Sequence, residues 1–480
     1  MDFTSQRKLL TQSPLDGKAS TLESPPKPGV KHWVPSRYNI RTPAKDGRLV
    51  LWNTLRGSMS VFSREQAPQI AEMLKQKGFE APKRDLVEYL VDRGFLVQKG
   101  TNEYRQFQLF FGQQQFRPDV LQLILLSSED CNFRCKYCYE DFKRGTMHPL
   151  VRQGIKKLVT KRMEEGLRSF NIQWFGGEPL YGMEAIDDLG PWFVEMSREH
   201  GVSHSSGMTT NGYLLTPEVA EKLIAWNVRH FQITLDGPAE HHNQSRPARD
   251  GGETFQTIFN NLKALASRKD DFTVTLRVNF NPSNYPDVPR LMDQVRQDIG
   301  ADSRFRFDFH AVGRWGGKND ANVEVCGSSG FDIGAQLKAA AHERGLNIST
   351  LKEMNLPGNQ VCYAARPYNF IIGATGKIMK CTVALDSDER NVVGNILPTG
   401  EMVLEADKLS LWTEPAFESD SQCRKCVMLP SCQGMSCPLV RMETQESPCV
   451  PTRRYAKRQM LETLKFRTGA RIRHITTMTR

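Results

Sequence analysis

Glu129-Asp130-Cys131-Asn132-Phe133-Arg134-Cys135-Lys136-Tyr137-Cys138-Tyr139 is the stretch on which the reading of this 480-residue chain turns. It sets three cysteines as C-x3-C-x2-C directly after an apolar stretch, Val120–Leu126, that reads as a strand. One short loop at that spacing can wrap three thiolates around a single iron–sulfur cubane. Three protein ligands leave one of the four irons open to a substrate or cofactor. A zinc site, which usually takes four protein ligands, and three unrelated buried thiols are the competing readings.

Outward from this loop, strand-like and helix-like stretches alternate. The strands are expected at Leu121–Ser127, Phe170–Trp174, Ser206–Thr210, Val228–Leu235, Thr273–Asn279 and Arg304–Phe309. Six βα repeats imply an α/β unit with a parallel sheet under helices, closed as a partial (β/α)6 TIM-type barrel with its site beyond the carboxyl ends of the strands. The boundaries expected are a disordered lead-in over 1–30, a winged-helix-like α+β unit over 31–115, the barrel over 116–348, a cysteine-rich region over 349–452 and a basic helix or tail over 453–480. In the second unit, strands are expected at Tyr38–Arg41, Leu49–Thr54 and Phe95–Gln98, with helices at Arg64–Lys77 and Asp85–Arg93. It holds none of the eleven cysteines, so it should bind, or simply cap the barrel, rather than catalyse.

The net charge of +10 invites a nucleic-acid reading until it is located. Nine Lys or Arg against one acid, Glu462, fall between Arg453 and Arg480, so the tail supplies +8 of it. A nucleic-acid partner is therefore not expected, and a solvated helix face or a docking element is. No stretch is long and apolar enough to span a bilayer. Eleven cysteines without a secretory signal favour metal ligation in a reducing, cytoplasmic setting over a disulfide framework.

The C-x3-C-x2-C with Tyr137 just before its last cysteine resembles the radical S-adenosylmethionine (SAM) superfamily. Three further segments agree in order: Gly176-Gly177-Glu178-Pro179, Thr209-Thr210-Asn211-Gly212 and Leu235-Asp236-Gly237-Pro238, each at a strand's carboxyl end. The resemblance implies a catalytic 4Fe-4S cluster on Cys131, Cys135 and Cys138. SAM would bind the open iron and be cleaved to a 5′-deoxyadenosyl radical. The backbone at Gly176 and Gly177, with Glu178, would hold the SAM amino group, and Tyr137, Pro179, Thr210, Asn211 and Asp236 would line the SAM site. Adjacent glycines allow close backbone approach to a ligand, and a carboxylate can accept from an ammonium. Arg277 and Asn279 alternate on the fifth strand, so they share a face and could meet the SAM carboxylate or ribose, or form a strand-end pair.

Seven cysteines follow within about a hundred residues: Cys362, Cys381 in Gly376-x4-Cys381, Cys423-x2-Cys426-x5-Cys432-x4-Cys437, and Cys449. They resemble the SPASM extension of radical SAM enzymes that modify peptides, which carries two auxiliary clusters, for a total of three 4Fe-4S clusters. The spacing before Cys437 is one residue longer than usual in that extension. By resemblance, Cys423, Cys426, Cys432 and Cys449 complete one cluster, and Cys362, Cys381 and Cys437 hold the other. The second set is one ligand short, so either an iron stays open or Cys326 reaches back. Zinc remains the alternative for Cys423 and Cys426.

The resemblance further implies a peptide maturase. Its partners would be a precursor peptide, whose leader would add as a strand to the N-terminal unit, and an electron donor such as flavodoxin or ferredoxin. The expected product is an intramolecular thioether or carbon–carbon cross-link. Sulfatase-maturing relatives place an Asp directly after the cysteine matching Cys381, where this chain has Thr382. A formylglycine-generating role is therefore the alternative. Glu140, His241, His242 and Arg246 lie near the right strand ends without declaring an acid or base.

Overall fold

The computed structural model describes residues 30–142, 144–348, 356–385, 387–447 and 449–466. The expected lead-in and the last part of the basic tail lie outside them.

The central feature is a ten-stranded sheet in the order β12-β11-β10-β9-β8-β7-β13-β14-β15-β16. Before it come β1 (Val30–Pro35), β2 (Asn39–Pro43), β3 (Leu49–Asn53), β4 (Ser58–Phe62), α1 (Ala67–Met73), β5 (Phe79–Pro82), α2 (Asp85–Asp92), β6 (Leu96–Gln98) and α3 (Glu103–Gln115). The α/β repeats are β7 (Val120–Ser128), α4 (Pro149–Glu164), β8 (Ser169–Gly176), α5 (Met183–Glu199), β9 (Ser203–Thr210), α6 (Pro217–Ala225), β10 (Val228–Thr234), α7 (Ala239–Ser245), α8 (Phe255–Ser267), β11 (Thr273–Phe280), α9 (Val288–Asp298), β12 (Phe305–Ala311) and α10 (Gly330–Glu343). The remainder holds β13 (Asn369–Ile372), β14 (Lys377–Met379), β15 (Val392–Ile396), β16 (Met402–Leu404), α11 (Ala406–Thr413), α12 (Ser421–Lys425), α13 (Leu429–Cys432), α14 (Pro438–Thr444) and α15 (Pro451–Phe466).

The six parallel strands β7–β12 fall where the apolar patterning places them, each within a few residues. β7 is buried along nearly its whole length, as a parallel strand covered on both faces must be. The helices begin on ordinary signals: His148 caps α4 by accepting from the Leu150 amide at 3.2 Å, and Pro149 needs no donor in the first turn. One core runs through β7–β12, the covering helices and β13–β15.

Two features depart from expectation. The sheet does not stop at β7: β13 pairs with it in parallel, Asn369 opposite Gln122, and the antiparallel β14, β15 and β16 follow. Residues 369–404 of the cysteine-rich region therefore extend the central sheet. The N-terminal unit holds six strands in two three-stranded antiparallel sheets, β5-β1-β6 and β2-β3-β4, and a third helix. Its first helix is shorter than the expected Arg64–Lys77, because Pro68 and a C-cap at Leu74 bound it. The helix α15 packs Ala456, Met460 and Leu464 against Ile40, Val50 and Trp52, so both ends of the described chain share a small core. Among the described residues no helix is long and apolar enough to cross a membrane.

Candidate active site

The loop after β7 carries Cys131, Cys135 and Cys138 into a cavity of ≈ 360 Å³ at the carboxyl ends of the parallel strands. The loop is held from two sides. The Gly177 and Glu178 amides donate to the Ser128 and Asp130 carbonyls at 3.1 and 3.0 Å, and the Arg134 and Lys136 amides donate to Pro247 and Ser245 at 2.9 Å each. Gly176 sits at φ +125° with the Ser128 carbonyl oxygen 2.0 Å from where a Cβ would stand, so only glycine fits. Burial raises all three thiols, Cys138 to about 12, so loading the site with iron must expel protons.

Of the residues expected at the cofactor, Tyr137, Gly176, Gly177, Thr210, Asn211, Arg277 and Asn279 line this cavity. Glu178, Pro179 and Asp236 are buried and do not line it. The Glu178 carboxylate accepts from Thr210 Oγ1 (2.7 Å), the Asn211 amide (2.7 Å) and the Leu180 amide (3.0 Å). Burial lifts its pKa to about 6, opposed by those donors. Through these bonds it pins the end of β9 onto the cysteine loop. Asp236 accepts from the Tyr137 hydroxyl at 2.6 Å and from the Asn279 amide at 3.1 Å. The Tyr137 hydroxyl also accepts from Arg246 Nη1 (2.7 Å) and Asn279 Nδ2 (3.0 Å), so one phenol ties together the loop, β11 and the segment after α7.

Arg246 lines the cavity with 8% of its surface exposed, and its Nε has no hydrogen-bond partner. A guanidinium stays charged wherever it is buried. Arg246 Nη1 donates to the Tyr137 hydroxyl and the Asp236 carboxylate meets part of its charge, which leaves the Nε as a free donor. By sequence Arg246 is one of four unranked residues near the strand ends; its burial is what singles it out. The remaining wall includes Glu140, His310, Trp315 and Thr382. Burial, then Glu129 and Asp141, raise Glu140 to about 8. His310 is bonded through Nε2 to Asp308 at 2.7 Å. His241 is paired with Asp287 at 2.8 Å, and His242 is buried with Nδ1 toward the Asp236 amide, so both are engaged elsewhere.

The later cysteines gather in two places. Cys423, Cys426, Cys432 and Cys449 line one cavity of ≈ 540 Å³ together with Arg453. Burial carries the Cys362 thiol to about 11, and Cys381 and Cys437 add to that shift from close by. Thr382 brings this second group to the wall of the cavity at Cys131, with its hydroxyl 2.7 Å from that of Tyr363. Cys326 stands apart in the core of the α/β repeats beside Ala311 and Gly330. No three His, Cys, Asp or Glu among the described residues converge as tightly as a lone metal ion would require. A cubane spreads its thiolates over separate corners and does not ask for that.

Residues 125–295 match the Radical SAM superfamily. They form a radical SAM domain. Among curated proteins, the chain is 24% identical over 200 residues to the radical SAM cyclopropyl synthase TigE of Paramaledivibacter caminithermalis, which is 38% of this chain and 41% of that protein. It is 27% identical over 179 residues to the cysteine-type anaerobic sulfatase-maturating enzyme of Clostridium perfringens, 35% of this chain and 46% of that protein. The chain thus matches less than half the length of either. Among solved structures, native anSMEcpe with bound AdoMet and Cp18Cys peptide superposes with a TM-score of 0.53 at 19% identity, covering 73% of this chain and 97% of the other. That likeness extends the radical SAM fold, an α/β architecture on a large central sheet, beyond the domain itself.

Proposed function

We propose that the chain is a radical SAM peptide maturase that joins side chains of a ribosomally made precursor through a thioether or carbon–carbon bond. The observation that carries this reading is the convergence of three cysteine groups. One lies at the floor of a cavity rimmed by the radical SAM motif residues, one against the wall of that cavity, and one farther out. Three thiols beside a buried guanidinium whose Nε is free suit a 4Fe-4S cluster and the carboxylate of SAM. Held by Cys131, Cys135 and Cys138, that pair would supply the hydrogen-atom abstraction that peptide cross-linking requires.

The residues of the chain do the positioning. Arg246, with Arg277 beyond it, meets the SAM carboxylate by charge-assisted hydrogen bonds. Gly176 and Gly177 leave room for close approach, and Asn211 and Thr210 face the same guest. Glu178 and Asp236 hold these groups in register. Cys362, Cys381 and Cys437 hold one auxiliary cluster, and Cys423, Cys426, Cys432 and Cys449 the other. The N-terminal unit receives the leader, and a flavodoxin- or ferredoxin-like donor supplies electrons.

A sulfatase-maturing role is the second reading, favoured by the 27% identity to such an enzyme. Thr382 speaks against it, since the carboxylate expected beside Cys381 by resemblance is missing. The test is in two stages. Anaerobically reconstituted protein with SAM and dithionite should form 5′-deoxyadenosine, and replacing Cys131, Cys135 and Cys138 by Ala should abolish it. Co-expression with a short open reading frame beside the gene should lower the precursor mass by two hydrogens per cross-link. No 5′-deoxyadenosine, or none lost in the triple variant, refutes the enzyme assignment, and an aldehyde in place of a cross-link transfers it to the second reading.

A further inference from the structure

Cys449 is the exposed cysteine of the eleven; the other ten are buried or half-buried. It lies two residues before α15, on which Arg453, Arg454 and Lys457 are exposed. Spacings of three and four residues put these cations on neighbouring positions of one helix side. Arg453 Nη1 lies 2.6 Å from the Cys449 sulfur. Outside that sulfur lies a surface recess of ≈ 550 Å³ lined by Cys449, Val450, Arg453, Arg454 and Tyr455. It shares Cys449, Val450 and Arg453 with the inner cavity of four cysteines, so the two meet at one sulfur.

The helix presents these charges on a firm support. The Tyr455 ring stacks on Phe331 at 3.7 Å, and Arg458 is neutralised by Asp332 and Glu462. Two acids, Asp420 and Glu446, line the inner cavity rather than the outer recess. Among the described residues Arg454 and Lys457 have no ion-pair partner, so their charge is directed outward.

We propose that this face is the docking site of a small acidic electron-transfer protein, which exchanges one electron with the cluster held by Cys423, Cys426, Cys432 and Cys449. The inference rests on the assignment of a cluster to those four cysteines. Cys131 is buried inside the barrel cavity, whereas a protein at the outer recess meets Cys449 without entering the barrel. Electron-transfer encounters use small interfaces steered by complementary charge, which is what a few unpaired cations around a solvent-facing cluster ligand provide. An acidic leader peptide would also match the charge, but the recess opens onto Cys449 and not onto the cavity where a peptide would react. In the exchange a reduced 2Fe-2S ferredoxin gives up one electron and the oxidised 4Fe-4S cluster takes it; no bond or proton changes hands.

The test uses the full chain, reconstituted, with Cys131, Cys135 and Cys138 replaced by Ala so that only the auxiliary clusters take electrons. A pre-reduced plant-type ferredoxin is the probe in stopped-flow absorbance. Combining Arg454→Glu with Lys457→Glu should lower the second-order rate at low salt at least tenfold and flatten its dependence on ionic strength. Iron content and reduction by dithionite, which needs no docking, should stay unchanged. Equal ferredoxin rates with and without the charge reversal overturn the proposal. So does a reversal that spares those rates but abolishes binding of a fluorescent acidic peptide. If Cys423→Ala with Cys426→Ala leaves the iron content untouched, the cluster assignment beneath the proposal fails instead.

Discussion

Replacing Arg246 by Met tests the reading of the cavity most directly. The thioether side chain keeps most of the buried volume and removes the guanidinium. In the folded chain the change deletes one hydrogen bond, to the Tyr137 hydroxyl at 2.7 Å, and that hydroxyl keeps Asp236 and Asn279 as partners. It also takes a cation away from the buried Asp236 and Glu178 carboxylates, so a loss of stability accompanies it. The effect on a carboxylate guest is read separately. A hydrogen bond to a charged group contributes about 1.5–3 kcal/mol, so the SAM dissociation constant should rise roughly 10- to 150-fold. Anaerobic equilibrium dialysis with radiolabelled SAM on iron-loaded protein measures it, with circular dichroism as the control for folding. Arg277→Met should cost less, because its Nε is already engaged by Asn279 at 3.0 Å. A dissociation constant for Arg246→Met within twofold of the parent would refute the role given to the guanidinium.

Three other outcomes are expected. Gly176→Ala forces a Cβ onto the Ser128 carbonyl at positive φ, which should cost more than about 1 kcal/mol of stability and depress iron loading, read by thermal denaturation and iron analysis. Cys423→Ala with Cys426→Ala, and Cys362→Ala with Cys381→Ala, should each remove about four of roughly twelve irons per chain, while Cys326→Ala removes none. His204 stacks on Phe170 at 4.7 Å, and burial lowers its pKa to about 4. The unfolded chain, titrating near 6.5, binds a proton there before the folded one does, so stability contributed above pH 6.5 is lost as pH falls from 6.5 towards 4, by up to about 3 kcal/mol at the 1.36 kcal/mol per pKa unit of linkage. Urea denaturation of His204→Leu should lack that component; an unchanged pH profile would contradict the assignment.

What the sequence discloses follows from the range of the forces involved. The strands β7–β12 are legible because each is a short β-rich run bounded by helix-start signals, and burial on two faces leaves few choices. The cysteine loop and the glycine-rich turn after β8 are legible because local spacing sets their chemistry. β13–β16 are not, because three- to five-residue strands carry little periodicity, and β13 is fixed by pairing with residues some 250 positions earlier in the chain, Asn369 with Gln122. The motif residues Glu178 and Asp236 show a second limit: the sequence marks them as special, but only the fold shows that their carboxylates face protein donors. Arg246 illustrates the converse, an ordinary-looking Arg distinguished by an environment assembled from three segments.

The parallel pairing of β13 with β7 bears on how the chain is made. The strand that delivers the three-cysteine loop is not an edge strand; it is flanked by β8 on one side and β13 on the other. During synthesis, β7 leaves the ribosome long before β13 does, and its open hydrogen-bonding edge stays bare for some 240 residues of elongation. An unprotected apolar edge is a template for unwanted association. Iron delivered in that interval would meet a half-built strand, so metal loading and completion of the polypeptide are bound into one timetable, and fragments ending before β13 should precipitate however intact their cysteine loop.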